Sequence, residues 1–345
     1  EMKNKVLIVT YTGDNHCIET VSEAIKNNGG IPVRLDIDRY PVDFQLSSTY
    51  LNGKWEVILN DGNELHNLTN EFCGVWNRRF YHLGDCLKDE LEEAFLRPSI
   101  GESNATLIGA VTHMERELFT MNSYAVNRQS SVKEDQLRMA SEFGLTIPKT
   151  CITNDREQAI NFVQQCKNGA IVKMQHGFSM QSEGKEAVVY TNEVSLDDLS
   201  ALDNLRYCPM KFQEKVEKQV ELRITVIGTE VYTYALKSQE HQKGKVDWRR
   251  VGFETLEDWV PFDLPEEVKH KLLLLHDHFK LNYGATDIIV TPEGEYVYLE
   301  TNPGGEFFWL DRHTEYAMSD QIAKVLLGQA ERRPHLLYEN ALHLA

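Results

Sequence analysis

The chain has 345 residues, enough to surround more than one core with two or three domains. Its 36 basic and 53 acidic residues give a net charge of −17, which excludes a nucleic-acid partner that needs a broad basic surface and leaves any nucleotide to a local basic pocket. The 6 cysteines are scattered without a C-x-x-C pair, and no stretch approaches the ~18 apolar residues of a membrane span, so reduced thiols, a cytoplasmic location and no membrane partner are expected.

The apolar run Lys5–Thr10, an amphipathic stretch from about Cys17 to Asn28 and the run Ile31–Leu35 predict strand, helix and strand, an α/β opening. Shorter strands follow at Trp55–Leu59 and Gly74–Trp76, then a mostly helical tract that closes a first domain, 1–124. Ser131 and Glu134 have capping-box spacing and predict a helix start; that helix runs to Phe143-Gly144 and opens a central unit, 125–206. Within this unit the pattern predicts strand Lys149–Ile152, helix Asp155–Gln165 and strand Ala170–Met174. A polar, glycine-bearing connection then leads to Ala187–Tyr190, which reads as the hairpin partner of 170–174. A third unit, 207–330, takes Met210–Glu214, strands at Glu221–Ile227 and Glu230–Leu236, helix Glu266–Phe279 and a last hairpin; 331–345 reads as a peripheral tail.

The last hairpin carries the sharpest chemistry. Asp287 and Glu300 stand on opposite strands across the turn Thr291-Pro292-Glu293-Gly294. Residues directly opposite on an antiparallel pair have Cβ atoms about 4.5–5.5 Å apart, where like charges repel, so a positive group is expected between them. Side chains alternate along a strand, which brings Asn302 to the face of Glu300. Two carboxylates and an amide, open to further ligands, suit Mg²⁺, an ion that keeps waters and substrate phosphates in its shell.

Upstream, Lys173 ends an apolar strand before a glycine-bearing loop, where an ammonium can reach a phosphate while its stem stays packed. Gln213-Glu214-Lys215-Val216 offers linker backbone to an adenine edge, Glu221 an acid for ribose hydroxyls, and Arg223 a bidentate phosphate clamp; Arg249 lies in a second basic site beside Trp248. Neither a G-x-x-x-x-G-K-[ST] loop nor a G-x-G-x-x-G turn after a strand occurs, so phosphates must be held another way. The 12 histidines are scattered and read as structural, His276 and His278 being an i, i+2 pair on different helix faces.

The order Lys173, Gln213–Val216, Glu221, Arg223, Arg249, Asp287, Glu300, Asn302 resembles the ATP-grasp fold, in which ATP lies between two α+β subdomains. Whole strings narrow the likeness: Thr10-Tyr11-Thr12-Gly13-Asp14-Asn15, Asp36-Ile37-Asp38-Arg39-Tyr40-Pro41, Val75-Trp76-Asn77-Arg78-Arg79, Cys208-Pro209-Met210, Asp247-Trp248-Arg249, Leu281-Asn282-Tyr283-Gly284-Ala285 and Gly305-Glu306-Phe307-Phe308-Trp309-Leu310. Together they resemble the microviridin-type peptide ligases, the graspetide macrocyclases, over roughly residues 5–328.

The resemblance implies an N-terminal α/β domain followed by central and C-terminal ATP-grasp subdomains, with ATP and Mg²⁺ as cofactors. It implies phosphorylation of Asp or Glu side chains of a ribosomal precursor peptide, leader plus core, and closure of ω-ester rings by Thr or Ser hydroxyls. The alternatives are amide closure, a ligase for small amino-acid substrates and, least supported, a protein that only binds ATP; a homodimer is left open. Arg223 and Arg249, with Arg78 and Arg79 at a strand end, are the catalytic candidates, and Arg78 and Arg79 are expected to grip the acceptor carboxylate on a face shaped by Asp36, Asp38 and Arg39. The acidic residues Glu183, Glu186, Glu193, Asp197 and Asp198 are expected to receive a basic leader helix.

Overall fold

The computed structural model describes residues 3–175, 179–182, 185–188, 191–200, 203–236 and 258–335. The N-terminal unit builds β1 (Lys5–Thr10), α1 (His16–Asn27), β2 (Ile31–Asp36), β3 (Gln45–Leu51), β4 (Lys54–Asn60), β5 (Leu65–Asn67), β6 (Phe72–Asn77), α2 (Glu93–Glu117) and β7 (Phe119–Met121). A parallel sheet in the order β2-β1-β6-β7 forms the unit's centre, and β3-β4-β5 makes a separate antiparallel sheet. The strands of the parallel sheet are apolar runs because helices or the second sheet cover both faces.

Next come α3 (Tyr124–Ser130), α4 (Lys133–Glu142), β8 (Thr150–Thr153), α5 (Arg156–Gln164), β9 (Ala170–Lys173), β10 (Ser179–Ser182), β11 (Lys185–Val188), β12 (Asn192–Val194), α6 (Leu196–Ser200) and β13 (Met210–Glu214). The central sheet runs β12-β9-β13-β8, all antiparallel. Two expectations change here. Strand 170–173 pairs with β12 and β13, whereas β10 and β11 form a hairpin of their own. Strand Met210–Glu214, expected in the third unit, is an inner strand of the central sheet, because Phe212 fills the core there with Ala159, Ala170, Leu199 and Leu205.

The chain then builds β14 (Val220–Ile227), β15 (Glu230–Leu236), β16 (Trp259–Pro261), α7 (Glu266–Phe279), β17 (Tyr283–Val290), β18 (Tyr296–Asn302), α8 (Phe308–His313) and α9 (Ala317–Leu327). The C-terminal sheet is antiparallel, β16-β15-β14-β17-β18. Helices α3 and α4, expected in the central unit, contribute Val126, Leu137 and Ala140 to the core of this sheet. The capping box does not form: Ser131 donates back to the Asn127 carbonyl at 2.6 Å, Val132 takes the cap position, and Glu134 pairs with Arg138 at 3.1 Å.

Helix α9 returns to the first domain, where Ile322, Ala323, Val325 and Leu326 pack with Val6, Ile8, Val21 and Trp76. Gly74 permits this, since a Cβ there would stand 2.7 Å from the Leu326 carbonyl oxygen. The start of the supposed peripheral tail is held: Arg333 makes two 2.8 Å bonds to Asp277, and Arg332 lies 3.9 Å from the centre of the Phe119 ring. Among the described residues no helix is long and apolar enough to cross a membrane.

Candidate functional site

Asp287 and Glu300 are directly opposite on β17 and β18. Counting outward from the pair Val290 and Tyr296 would set Leu299 there; a one-residue bulge leaves Leu299 unpaired and advances Glu300 into place. Asn302 faces Ala285, two positions on, and its amide lies 3.4 Å from Glu300 Oε1. The positive groups expected beside the acids belong to the chain itself. Arg223 Nη1 donates to Asp287 Oδ1 at 2.9 Å, and Lys133 Nζ stands 3.0 Å from Glu300 Oε2 and 3.0 Å from Asn302 Oδ1.

Burial would raise the Glu300 carboxyl, but Lys133, Lys211 and Lys173 outweigh it and hold the group well below the usual carboxylate range. Two of these lysines come from the central sheet, where Lys211 and Lys173 are themselves directly opposite on β13 and β9. A cross-strand lysine pair thus lies within electrostatic reach of Glu300, one member of the cross-strand acid pair. Lys211 is 3 % exposed and was missed in the sequence. Its signal was there: a lysine two residues before Gln213 shares that residue's face of the strand.

Beside this juxtaposition lies a cleft, open to solvent, lined by Lys173, Gln213, Glu214, Lys215, Val216 and Glu221 together with the apolar side chains of Pro148, Ile171, Ile289 and Leu299. Every described nucleotide candidate except Arg223 meets here, and the bulged Leu299 supplies one wall. The linker's role is narrower than expected. The N–H groups of Glu214 and Lys215 donate to the Lys149 and Gly169 carbonyls at 3.0 and 2.9 Å, and the Glu214 carboxylate is held by Lys149 at 3.1 Å and the Lys167 N–H at 2.8 Å. Glu221 is bound by Lys218.

Arg78 departs from its expected role. Its side chain is 0 % exposed and its guanidinium donates to the carbonyls of Gly304 and Gly305, with Asp14 and Glu306 as counter-ions at 3.4 and 3.2 Å. It fastens the turn after Asn302, while its Nε and Nη2 make no hydrogen bond beyond the ion contacts to Asp14 and Glu306. Arg79 keeps partial exposure, and bonds Glu306 at 2.7 Å and the Gly304 carbonyl at 3.2 Å. Asn302-Pro303-Gly304-Gly305 is built for this contact: a Cβ on Gly304 would stand 2.9 Å from the Arg78 carbonyl oxygen, and one on Gly305 2.8 Å from Arg223 Nη2. Asp36 and Asp38 are engaged by Arg34 at 2.8 Å and by the Thr12 N–H at 3.0 Å, and Arg39 by Asp43 at 2.7 Å.

Helix α4 was missed as part of the site. Gln136, 1 % exposed, donates to the Thr301 carbonyl at 2.7 Å and accepts from the Thr301 N–H at 3.0 Å, filling both outward backbone groups of the edge strand β18. Thr301 lies between Glu300 and Asn302, so this amide fixes the segment that carries them. Neither Gln136 nor Lys133 has a local sequence signal, since their partners are 165 and 169 residues away.

Of the acidic residues expected to meet a leader, Glu193 is on the edge strand β12 and ion-paired to Lys215. Asp198 closes the first turn of α6, accepting from the Ser195 N–H at 2.8 Å, while Asp197 is exposed. Glu183 and Arg249 lie outside the described residues, as does the side chain of Glu186. His276 is fully buried and pushed down to about 3 by burial and by Arg333, as a structural histidine would be.

The oxygen-only donor set of Asp287, Glu300 and Asn302, converging from one hairpin, fits a hard divalent ion such as Mg²⁺. Residues 5–128 match the family model of the MvdD pre-ATP grasp domain. Over 97 % of this chain and 100 % of the other, the structure is similar to a Chryseobacterium gregarium RiPP-associated ATP-grasp ligase (RiPP, a ribosomally synthesised and modified peptide) in complex with ADP and a leader and core peptide, with 40 % identity and a TM-score of 0.92. It is also similar to two macrocyclases of Microcystis aeruginosa: MdnC bound with precursor peptide MdnA (34 % identity, TM-score 0.83) and MdnB (32 %, 0.78), each over 94 % of this chain and 99 % of the other. No curated protein matches the chain. With this identity sustained over nearly the whole length, and the acid pair, lysine pair and cleft in place, the chain belongs to the RiPP-associated ATP-grasp ligases and is an enzyme of that class.

Proposed function

We propose that this ligase spends ATP, with Mg²⁺, to activate Asp or Glu side chains of a ribosomal precursor peptide and closes ω-ester macrocycles with Thr or Ser hydroxyls in the cytoplasm. One observation carries the reading: the lysine pair Lys173 and Lys211 lies within electrostatic reach of Glu300, itself directly opposite Asp287, beside a cleft with apolar walls. Phosphate oxygens placed beside these two ammonium groups would accept charge-assisted hydrogen bonds, which are stronger than neutral ones.

In this reading the base lies between Ile171 and Leu299 and meets the linker at Lys215 and Val216, with Glu221 near the ribose. Lys173 and Lys211 hold phosphate oxygens. A metal ion on Asp287, Glu300 and Asn302 would neutralise charge on the transferred phosphoryl group. A peptide carboxylate oxygen attacks the γ-phosphorus and ADP leaves. A hydroxyl of the same peptide then attacks the acyl carbon and phosphate leaves, so each ring costs one ATP and removes one water. Arg223 holds Asp287 in position, Arg79 is assigned to the acceptor carboxylate, Arg78 orders the turn beside it, and Arg249, outside the described residues, keeps the expected role on the transferred phosphoryl charge. The related ligase in complex with leader and core peptide and the related macrocyclase bound to its precursor support a peptide substrate. The exposed acids Glu193, Asp197 and Asp198 are the described part of the surface assigned to the leader.

The test is to incubate the enzyme with ATP, Mg²⁺ and precursor peptides rich in Thr, Ser, Asp and Glu, following ADP release and water loss by mass. Rings that mild base opens are esters, and rings that resist it are amides, the alternative product. Glu300→Gln should fold normally and lose turnover by orders of magnitude. ADP release with free amino acids and none with any such peptide would overturn the peptide reading.

A further inference from the structure

The cation on Glu300 and Asn302 differs from the one on Asp287 in a way that bears on how the site takes up metal. Arg223 is fixed: its side chain is 6 % exposed, and besides Asp287 it bonds the Glu306 carbonyl at 3.0 Å. Lys133 reaches its two oxygens from the first residue of α4, on a flexible four-carbon stem, with the side chain 11 % exposed. The root of that stem does not move, because Gln136 on the next turn is bonded to both backbone groups of Thr301. The Lys133 ammonium therefore stands where a cation shared by Glu300 and Asn302 would stand, 3.0 Å from an oxygen of each. A Mg²⁺ ion binds oxygens at about 2.0–2.1 Å, and one bridging these two oxygens from the same side would fall on the ammonium, so the two cations compete there.

We propose that Lys133 is the displaceable counter-cation of the metal site: it holds Glu300 and Asn302 in place in the metal-free enzyme and is driven off when a divalent ion takes their oxygens. The inference rests on the metal reading above. It makes Lys133 a positioning residue with an opposing effect, since it preorganises the ligands and competes with the ion. The free enzyme then resists loading by a divalent ion alone.

The experiment uses Mn²⁺, whose free concentration is read by electron paramagnetic resonance, titrated without nucleotide. Removing a charge-assisted contact that metal must break should let Lys133→Met bind Mn²⁺ roughly ten- to a hundredfold more tightly than the parent. Adding Glu300→Gln to that variant should abolish the gain. In the parent, acylation mapped by mass spectrometry should show Lys133 becoming more reactive as Mn²⁺ saturates, a readout that does not depend on the variant folding. Equal Mn²⁺ binding by parent and Lys133→Met, including none by either, overturns the inference, as does unchanged Lys133 reactivity. Tight binding that survives Glu300→Gln in the double variant would instead remove the metal site itself.

Discussion

Replacing Gln136 by Met tests whether α4 acts as a jig for the acid hairpin. The side chains are similar in volume, so little cavity is made and the change isolates hydrogen bonding. The parent carboxamide serves the Thr301 carbonyl at 2.7 Å, the Thr301 N–H at 3.0 Å, the Tyr298 hydroxyl at 3.3 Å and the Ser130 carbonyl. Tyr298 keeps Thr301 Oγ1 at 3.0 Å, so three buried backbone groups lose this partner. An unmet buried group costs about 1–3 kcal/mol, carbonyls toward the low end, and burying the amide itself no longer has to be offset. A net loss of about 2–5 kcal/mol follows. At roughly 2–4 °C per kcal/mol for a large domain, the unfolding transition should fall by about 5–15 °C in a calorimetric scan. Because Thr301 lies between Glu300 and Asn302, the Mg²⁺ concentration needed for half-maximal ADP release should rise before the ATP requirement does. A transition within about 2 °C of the parent, with the same Mg²⁺ dependence, would refute the idea that this amide holds the metal strand.

Glu115 gives a pH test. Burial raises its carboxyl to about 7 against the bonds it accepts from the Tyr124 N–H and the Asn77 amide, so the folded chain holds this proton more tightly than the unfolded one, which titrates near 4.5. That contribution is full below pH 4.5 and lost as pH rises through 7; Glu115→Gln keeps both acceptor bonds and should melt above the parent at pH 8, with no advantage at pH 4.5. A variant less stable than the parent at pH 8 would contradict this sign. Lys173→Met and Lys211→Met should each weaken ADP binding by about tenfold or more in calorimetry, as expected for a lost charged hydrogen bond; unchanged affinity in both would take the lysine pair out of the phosphate site. Asp197→Lys should weaken precursor binding more at low salt than at high salt. Asp198 is unsuited to that comparison, because its carboxylate caps α6.

Short-range patterns in the sequence carried a large part of this reading. Helix α7 occupies Glu266–Phe279, as its apolar spacing predicts, and β1, α1 and β2 follow the expected order. The nearness of Asp287 and Glu300 was legible because a hairpin folds on itself within a few residues, but their direct opposition depends on the bulge at Leu299, which regular alternation does not give. Tertiary structure decided what distance along the chain hides. Only packing assigns Met210–Glu214 to the central sheet, since an apolar strand does not specify which neighbour covers it. Ser131 and Glu134 satisfied a capping pattern, yet Ser131 found a nearer acceptor in Asn127 once α3 preceded it. Arg78 read as a grip for the acceptor carboxylate because the Gly304 and Gly305 carbonyls that its guanidinium bonds lie 226 and 227 residues later. Lys133 and Gln136 looked like ordinary polar positions on an amphipathic helix. They join the metal hairpin only because that helix docks on the exposed edge of β18, whose unpaired backbone groups had to be satisfied by something, and periodicity in the sequence cannot say by what.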